Sequence, residues 1–353
     1  MNREELVQQV HGGVEIGKQD FSGQDLSGLD LSGGMFIETS FAGANLAGVR
    51  FEESVFSSVD FSSADLTKTV FKDAIVTRSD FSSARLAGAD FRKATLDQAV
   101  FKSTDLAGVN LKSATLNKAD LTNASLAGAF LKSTNFIKPV LAGADFSRAR
   151  LTRTFLQGAD LRQVNIEGAR FELAFMLSCN LSGMNLKNTM LAMCQLQKSK
   201  LIKTDLTGAN LTQVNFSGSD LSEAKLDGVT APYALFLNAQ MPLATATQAD
   251  LKHCMFNECL LEAADFSGSN LLQAQFTKAV CRAAKFTGCN LTYADLSHVD
   301  LTGADLSRTS LPWAKLHRII EDHTIWTGAD KVTARGLDAD RAEAEDFVFA
   351  NDA

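Results

Sequence analysis

The sequence contains no apolar run approaching the roughly eighteen residues that a membrane-spanning helix requires. Its first residues, MNREELVQQVHGG, also lack the apolar core of a secretory signal peptide. We therefore expect no membrane span and a cytoplasmic location.

Residue patterns typical of catalysis or of metal binding are missing as well. Most glycines follow Ser, Ala or Thr at regular corner positions, and no phosphate-binding loop is formed. The five histidines share no metal-ligand spacing: His11, His253, His298, His317 and His323. We expect no enzyme, no cofactor and no metal site.

What the sequence has instead is a strict period of five residues. Sixty positions from Phe21 to Leu316, five apart, are nearly all Leu or Phe. A small residue lies two places before each of these central positions, and from residue 34 onward only Pro139 and Met184 depart from that rule. Neither a helix nor a flat strand keeps residues five apart on one face over such a length. A chain that turns a corner every five residues does, so twenty residues form one four-sided coil.

The repeated units, such as Ala44-Asn45-Leu46 and Ala304-Asp305-Leu306, resemble the pentapeptide repeat family. The resemblance implies an all-β fold, a right-handed quadrilateral parallel β-helix, here of about fifteen coils. Inward positions would be the central residue and the small residue before it. Because such folds carry many activities, the resemblance specifies the fold rather than the function.

The cysteines follow the same pattern. Five lie in the small inward position, namely Cys179, Cys194, Cys254, Cys259 and Cys289, and Cys281 lies in a central one. This placement predicts packing residues rather than disulfides or metal ligands.

Three regions are expected along the chain. Residues 1–20 read as a short N-terminal helix that caps the open end of the solenoid, and residues 21–316 form the repeats. The repeats weaken near 229–246, where Pro232 and Pro242 suggest a bulged or kinked coil. Residues 317–353 read as a C-terminal cap and a mobile acidic tail, the tail beginning beyond Ala329.

Charge is banded, and residues 67–203 carry twenty basic and ten acidic side chains. A basic strip recurs in one outward position at intervals of twenty and continues nearby: Lys72, Arg92, Lys112, Lys132, Arg150 and Arg170. It is either a solubilising face or a docking surface for an acidic partner.

Apolar residues occupy outward positions where Asp or Asn is usual. They include Met35, Val55, Ile75, Phe130, Phe155, Phe175 and Met190, with Leu235 and Met255 further along. Leu177 is a further outward apolar residue, just after the central position. Such a patch is typical of an interface with a protein partner or a second copy. The other interpretation is that a loop or the C-terminal segment covers it.

Several functions are compatible with this rod. A non-enzymatic scaffold or adaptor that binds a protein is favoured. The run of Arg-Glu-Glu-Leu into Asp-Leu-Ser-Gly repeats resembles long pentapeptide-repeat proteins of bacterial type VI secretion, which implies an accessory or effector-loading role. The alternative is a DNA mimic that regulates or protects DNA gyrase, as in other pentapeptide-repeat proteins, but such a rod would be acidic along its length. Direct nucleic-acid binding is disfavoured, since acidic bands flank the basic one.

Overall fold

The computed structural model describes residues 1–346, in two compact units, 1–180 and 181–346. Each unit is a parallel β-solenoid in which an outward residue pairs with the residue twenty positions later. Four such ladders run through each unit, beginning in the first at Asp20, Asp25, Asp30 and Glu15. The twenty-residue repeat expected from the sequence is thus present within both units.

The first unit begins with helix α1, Arg3–His11. Asn2 and Glu5 form a reciprocal capping box at its start, which satisfies backbone N–H groups that the helix itself leaves unpaired. Leu6 and Val10 are buried, and the Arg3 guanidinium donates to the carbonyl oxygens of Asp25 and Ser27, each at 2.8 Å. Helix α1 therefore docks on the first coil.

Six short strands lie in the first unit. They are β1 (Glu15–Gly17), β2 (Met35–Ile37), β3 (Val55–Ser57), β4 (Ile75–Thr77), β5 (Asn135–Ile137) and β6 (Phe155–Gln157). β1 to β4 form one parallel sheet in that order, and β5 pairs with β6. The register places Ile16 beside Phe36 and Phe36 beside Phe56. Elsewhere the ladders consist of single bridges, because the chain turns again after a few residues.

The repeat around Phe61 shows how five residues make one side. The Phe61 N–H donates to the Asp80 carbonyl of the next coil at 2.7 Å, and the Ala64 N–H closes a turn on the Phe61 carbonyl. Ser63, the third residue, has a left-handed backbone with φ of 55°. Asp65 then donates back to Ala44 of the preceding coil at 2.9 Å. The turn points Phe61 and Ala64 inward, and both are fully buried.

Aromatic columns fill the interior of the first unit. Phe51, Phe71 and Phe91 stack face to face, with ring centroids 5.2 and 4.7 Å apart. Phe61 and Phe81 belong to a second column and meet the rings of the first edge-on. These are the two preferred geometries of aromatic pairs, so the columns are core packing as the sequence indicates.

The small inward position also accepts hydroxyl and thiol groups. The buried Thr104 hydroxyl donates to the Phe81 carbonyl at 2.7 Å, and in the second unit Cys259 donates in the same way to Phe236. All six cysteines are buried. Burial raises the pKa of Cys259 and of Cys289 to about 12, so these thiols stay protonated.

The second unit continues the ladders regularly to Arg335, beyond Leu316, where the repeats were expected to end. Helix α2, Ala339–Asp346, follows. The prediction of a mobile tail is therefore wrong for residues 330–346, because pairing of Asp330 and Arg335 with the preceding coil orders the chain. The rest of the predicted tail, 347–353, lies outside the described residues.

The expected weak coil at 229–246 is fully paired. Thr230, Leu235 and Gln240 bridge to the residues twenty later. Pro232 and Pro242 occupy the second position of the turn. The backbone N–H of other residues makes no ladder bond at this position, and proline fits the φ that the turn requires. Their carbonyls still accept from Gln213 and Glu223 at 3.0 and 2.9 Å. The prediction of a kinked or bulged coil at 229–246 is therefore wrong.

Among residues 1–346, neither helix has the length and apolar content needed to cross a lipid bilayer.

Candidate functional site

The basic strip lies on the first unit, in the order that the sequence predicts. Four members of the strip accept, at their backbone carbonyl oxygens, the equivalent hydrogen bond from a backbone N–H of the preceding coil. They are Lys72, Arg92, Lys112 and Lys132. These four side chains therefore occupy one position on four successive coils, at a spacing of about 4.8 Å. Arg150 and Arg170 are direct neighbours in the adjacent ladder.

Acidic neighbours neutralise the N-terminal part of this strip. Lys72 lies 3.5 Å from Asp73, and Arg92 binds Asp90 at 2.6 Å. Hydrogen bonding to the Asp90 carboxylate raises the pKa of Arg92 above its ordinary value. The sequence did not predict these pairs, although Asp90 and Arg92 are only two residues apart.

The C-terminal part of the strip keeps its charge. Within residues 1–180, no ion pair joins Lys112, Lys132, Arg150 or Arg170 to an acidic side chain. The Arg150 guanidinium lies over the ring of Phe130, 5.1 Å from its centroid, and Phe130 is 43% exposed. We call this group, Lys112, Lys132, Phe130, Arg150 and Arg170, the basic cluster. It presents four cations beside an exposed ring, which suits a partner that carries both carboxylates and apolar groups.

The apolar residues of the first unit form two patches rather than one strip. Met35, Val55 and Ile75 adjoin in one ladder and are 36–47% exposed. Thr95, Thr115 and Asn135 then interrupt that ladder before Phe155 and Phe175, whose rings stack at 4.5 Å. Leu177 follows Phe175 and is half-buried.

Met190 lies in the second unit and is 57% exposed. Its ladder neighbour there is Asn210, so it starts a polar ladder. Leu235 and Met255, also predicted as outward apolar residues, are adjacent in another ladder of the same unit.

Comparison with protein families agrees with this architecture. A family model described as pentapeptide repeats (8 copies) matches overlapping segments that cover residues 35–73, 79–176, 178–228 and 247–318. These segments make up more than half of the sequence. The chain belongs to the pentapeptide repeat family.

Several solved pentapeptide repeat structures are similar to it. HetL from Nostoc sp. strain PCC 7120, described as involved in heterocyst differentiation regulation, shares 22% identity, with 96% of this chain and 98% of that chain covered and a TM-score of 0.21. Trypsin-treated QnrB1, described as a plasmid-mediated fluoroquinolone resistance protein, shares 18% identity over 52% of this chain and 92% of that chain, with a TM-score of 0.43. Rfr23 from Cyanothece 51142 shares 17% identity over 42% and 98%, with a TM-score of 0.23.

These low identities and TM-scores carry no argument about function. No curated protein sequence matches the chain significantly.

One cluster in the second unit was missed by sequence reasoning. The carboxylate oxygens of Glu345 on α2 lie 3.2 Å from His298 Nε2 and 3.1 Å from His317 Nε2. Hydrogen bonding, first of all to His317, lowers the pKa of Glu345 to about 2. The twenty-residue register was the available signal, because residues 298 and 317 are nineteen apart and so lie on adjacent coils.

The three side chains of this cluster have the donor atoms of a metal site, within 4.8 Å of one another. However, the Asp338 N–H donates to His317 Nδ1, so the proton of a neutral His317 is on Nε2 and points to Glu345. Arg341 and Arg318 also contact the same carboxylate, at 2.7 and 3.4 Å. A metal ion would have to displace that proton and lie beside two guanidinium groups. The arrangement is better explained as a set of hydrogen bonds and ion pairs that hold α2 against the solenoid than as a metal centre.

Proposed function

We propose that this chain is a non-enzymatic scaffold that binds a protein partner through the basic cluster of its first unit. The observation that carries the proposal is the contrast along the basic strip. Asp73 and Asp90 neutralise its beginning, whereas Lys112, Lys132, Arg150 and Arg170 lie together without an acidic partner among residues 1–180.

Such a grouping has an electrostatic cost in the isolated protein. Two unit charges about 5 Å apart repel by somewhat under ~1 kcal/mol in water, and less with salt. An acidic surface would relieve this repulsion on binding, and the ring of Phe130 adds an apolar contact beside Arg150. A partner with clustered carboxylates and one exposed apolar side chain is therefore the best fit.

The experiment uses a labelled peptide of alternating Glu and Leu and follows its fluorescence anisotropy with the full chain. We expect the triple variant Lys112→Glu/Lys132→Glu/Arg150→Glu to weaken binding about tenfold or more at 50 mM NaCl, and added salt to weaken binding to the unaltered protein. The matched control is Lys198→Glu/Lys200→Glu/Lys278→Glu, which makes the same charge change in the second unit. Equal weakening by both triple variants would refute the basic cluster as the site.

The patch of Phe155 and Phe175 is a second part of this proposal. The Phe155 ring is 41% exposed and stacks on the half-buried ring of Phe175, so the pair can contact a partner or a second copy. Leu177 flanks the patch. Met190 is a separate exposed apolar side chain in the second unit. Light scattering on the Phe155→Asp/Phe175→Asp variant tests self-association. If both its mass and its partner binding are unchanged, this patch has no part in recognition.

We further propose that residues 21–316 wind into fifteen right-handed, four-sided coils between an N-terminal cap, 1–20, and a C-terminal region, 317–353. The support is that four ladders with a period of twenty recur in each unit. A cytoplasmic location and the lack of catalytic activity belong to the same proposal. Because of the resemblance to chains of type VI secretion, a secretion component is the first native partner to test, by affinity capture with mass spectrometry.

The DNA-mimic alternative has weaker support. Its acidic ladder through Asp25, Asp65, Asp105 and Asp145 is interrupted by Arg85, which lies 3.7 Å from Asp65. The Thr67 hydroxyl also donates a hydrogen bond to the Asp65 carboxylate and lowers its pKa. This carboxylate therefore already has a hydrogen-bonding partner within its own turn. Protection of gyrase supercoiling by the purified chain would revive the alternative.

A further inference from the structure

The backbone ladders of both units are continuous except at one place. Within the described residues of each unit, outward residues pair with the residue twenty later, but Val140 and Asp160 do not. Just before this place the pattern is regular, since Leu121 donates to Val140 and Val140 donates to Ala119. The equivalent bonds from Leu141 to Asp160, from Gly143 to Arg162 and from Asp160 to Pro139 are not formed in residues 1–180.

Pro139 is the physical cause of this opening. It occupies the small inward position, which the sequence pattern reserves for residues such as Ala99, Ala119 and Ala159 in the same column. Its ring is larger than their methyl groups. The same two coils remain bonded on either side of the gap, through Lys138 to Gln157 at 2.8 Å and Phe146 to Asn165 at 2.7 Å. The opening is therefore local.

A cavity of about 350 Å³ occupies the opening. Val140, which is 48% exposed, supplies an apolar wall, and Gly158 and Gln163 lie across from it. Asp160 and Arg162 form a close ion pair at 2.6 Å in the same lining. The charge of Arg162 is thereby neutralised.

We propose that this opening binds a short extended peptide segment of a partner protein. Among residues 1–180, both facing edges present backbone groups without a hydrogen bond, namely the N–H of Leu141, Gly143 and Asp160 and the carbonyls of Pro139, Asp160 and Arg162. Donors and acceptors together match another polypeptide backbone, which supplies both. An anion would satisfy only the donors, and the neutralised Arg162 gives it no net positive charge to bind. An apolar side chain of the segment packs on Val140.

This site is separate from the basic cluster, and the proposal does not depend on the function given above. The first test is amide hydrogen exchange of the full chain. Leu141 and Gly143 are expected to exchange at least tenfold faster than Leu121 and Asn123, their equivalents one coil earlier. Equal protection at both places would show that the ladder is closed and would overturn the proposal.

The second test measures binding, with the blocked peptide acetyl-Val-Gly-Val-N-methylamide as the probe and backbone amide NMR as the readout. Shift changes confined to residues 139–143 and 158–163 are expected. Pro139→Ala should close the ladder, slow exchange at Leu141 and weaken binding about tenfold or more. Pro232→Ala, a proline replacement in an outward turn position, should leave binding unchanged.

Two further measurements keep the outcome decisive. Val140→Lys keeps the opening but removes the apolar wall, and its outward position elsewhere carries charged residues such as Arg85 and Arg150. It should also weaken binding, and it replaces Pro139→Ala if that variant does not fold. Sodium acetate serves as an anion probe. Peptide binding that survives these substitutions, or acetate shifting the same amides as strongly, would overturn the assignment.

Discussion

Phe71 offers the sharpest test of the aromatic columns. Its ring is fully buried, stacked between Phe51 and Phe91 and met edge-on by Phe61 and Phe81. Replacing a buried Phe by Ala usually costs about 3–5 kcal/mol of unfolding free energy. Each stacked pair adds roughly 0.5–1.5 kcal/mol beyond area burial. Phe71→Ala is therefore expected near the upper end of that range, and Phe71→Leu well below it.

Hydrogen exchange with mass spectrometry is the suitable assay, because unfolding of a solenoid need not be all-or-none. Protection should fall most in segments that contain residues 51–91. Phe155→Ala is the control, since that ring is 41% exposed and stacks on one partner only. Its expected cost is about 1 kcal/mol. A cost below about 1 kcal/mol for Phe71→Ala, or an equal loss of protection throughout residues 181–346, would refute the column as a local source of stability.

Three further predictions concern titratable groups. Hydrogen bonding to Thr67 lowers the pKa of Asp65. The stabilising contribution of the Asp65 carboxylate is therefore complete above the ordinary Asp pKa and is lost as pH falls through the lowered value. In acid titrations followed by circular dichroism, the Thr67→Val variant should unfold at a higher pH than the unaltered protein. Buried thiols such as Cys259 should react with Ellman's reagent at pH 8 only after unfolding, and rapid reaction of the native chain would contradict this. Glu345→Gln should speed hydrogen exchange in α2 while Glu343→Gln should not, and docking of α2 should weaken as pH falls toward the Glu345 pKa of about 2.

The sequence predicted those features that depend on the five-residue period. A central residue must point inward for the turn to close, so the buried columns and the alignment of Lys112 with Lys132 follow from counting alone. The same counting placed the six cysteines in the core, where the structure has them. Each of these features depends on the backbone register rather than on a side-chain conformation.

Features that depend on individual side chains were harder to predict. The ion pair of Arg92 with Asp90 depends on the side-chain rotamer of Arg92, which the sequence pattern does not specify. The docking of α2 depends on polar contacts between residues far apart in the sequence. The effect of proline shows this most clearly. The sequence predicts that Pro232 disturbs its coil, but that coil is fully paired, whereas Pro139, an exception to the small-residue rule, coincides with the break in the ladder. The position within the repeat decides the effect, because only the inward position lacks room for the ring.

The left-handed third residue of nearly every repeat has a consequence for redesign. Residues as different as Lys93, Ser63 and Tyr233 adopt a positive φ there although only glycine does so without steric cost. The solenoid thus tolerates a small conformational penalty, up to roughly 1–2 kcal/mol, at corner after corner. Its corners can consequently be rewritten with many side chains that are neither β-branched nor proline, and a chosen epitope could be displayed along one edge at a fixed pitch without disturbing the interior.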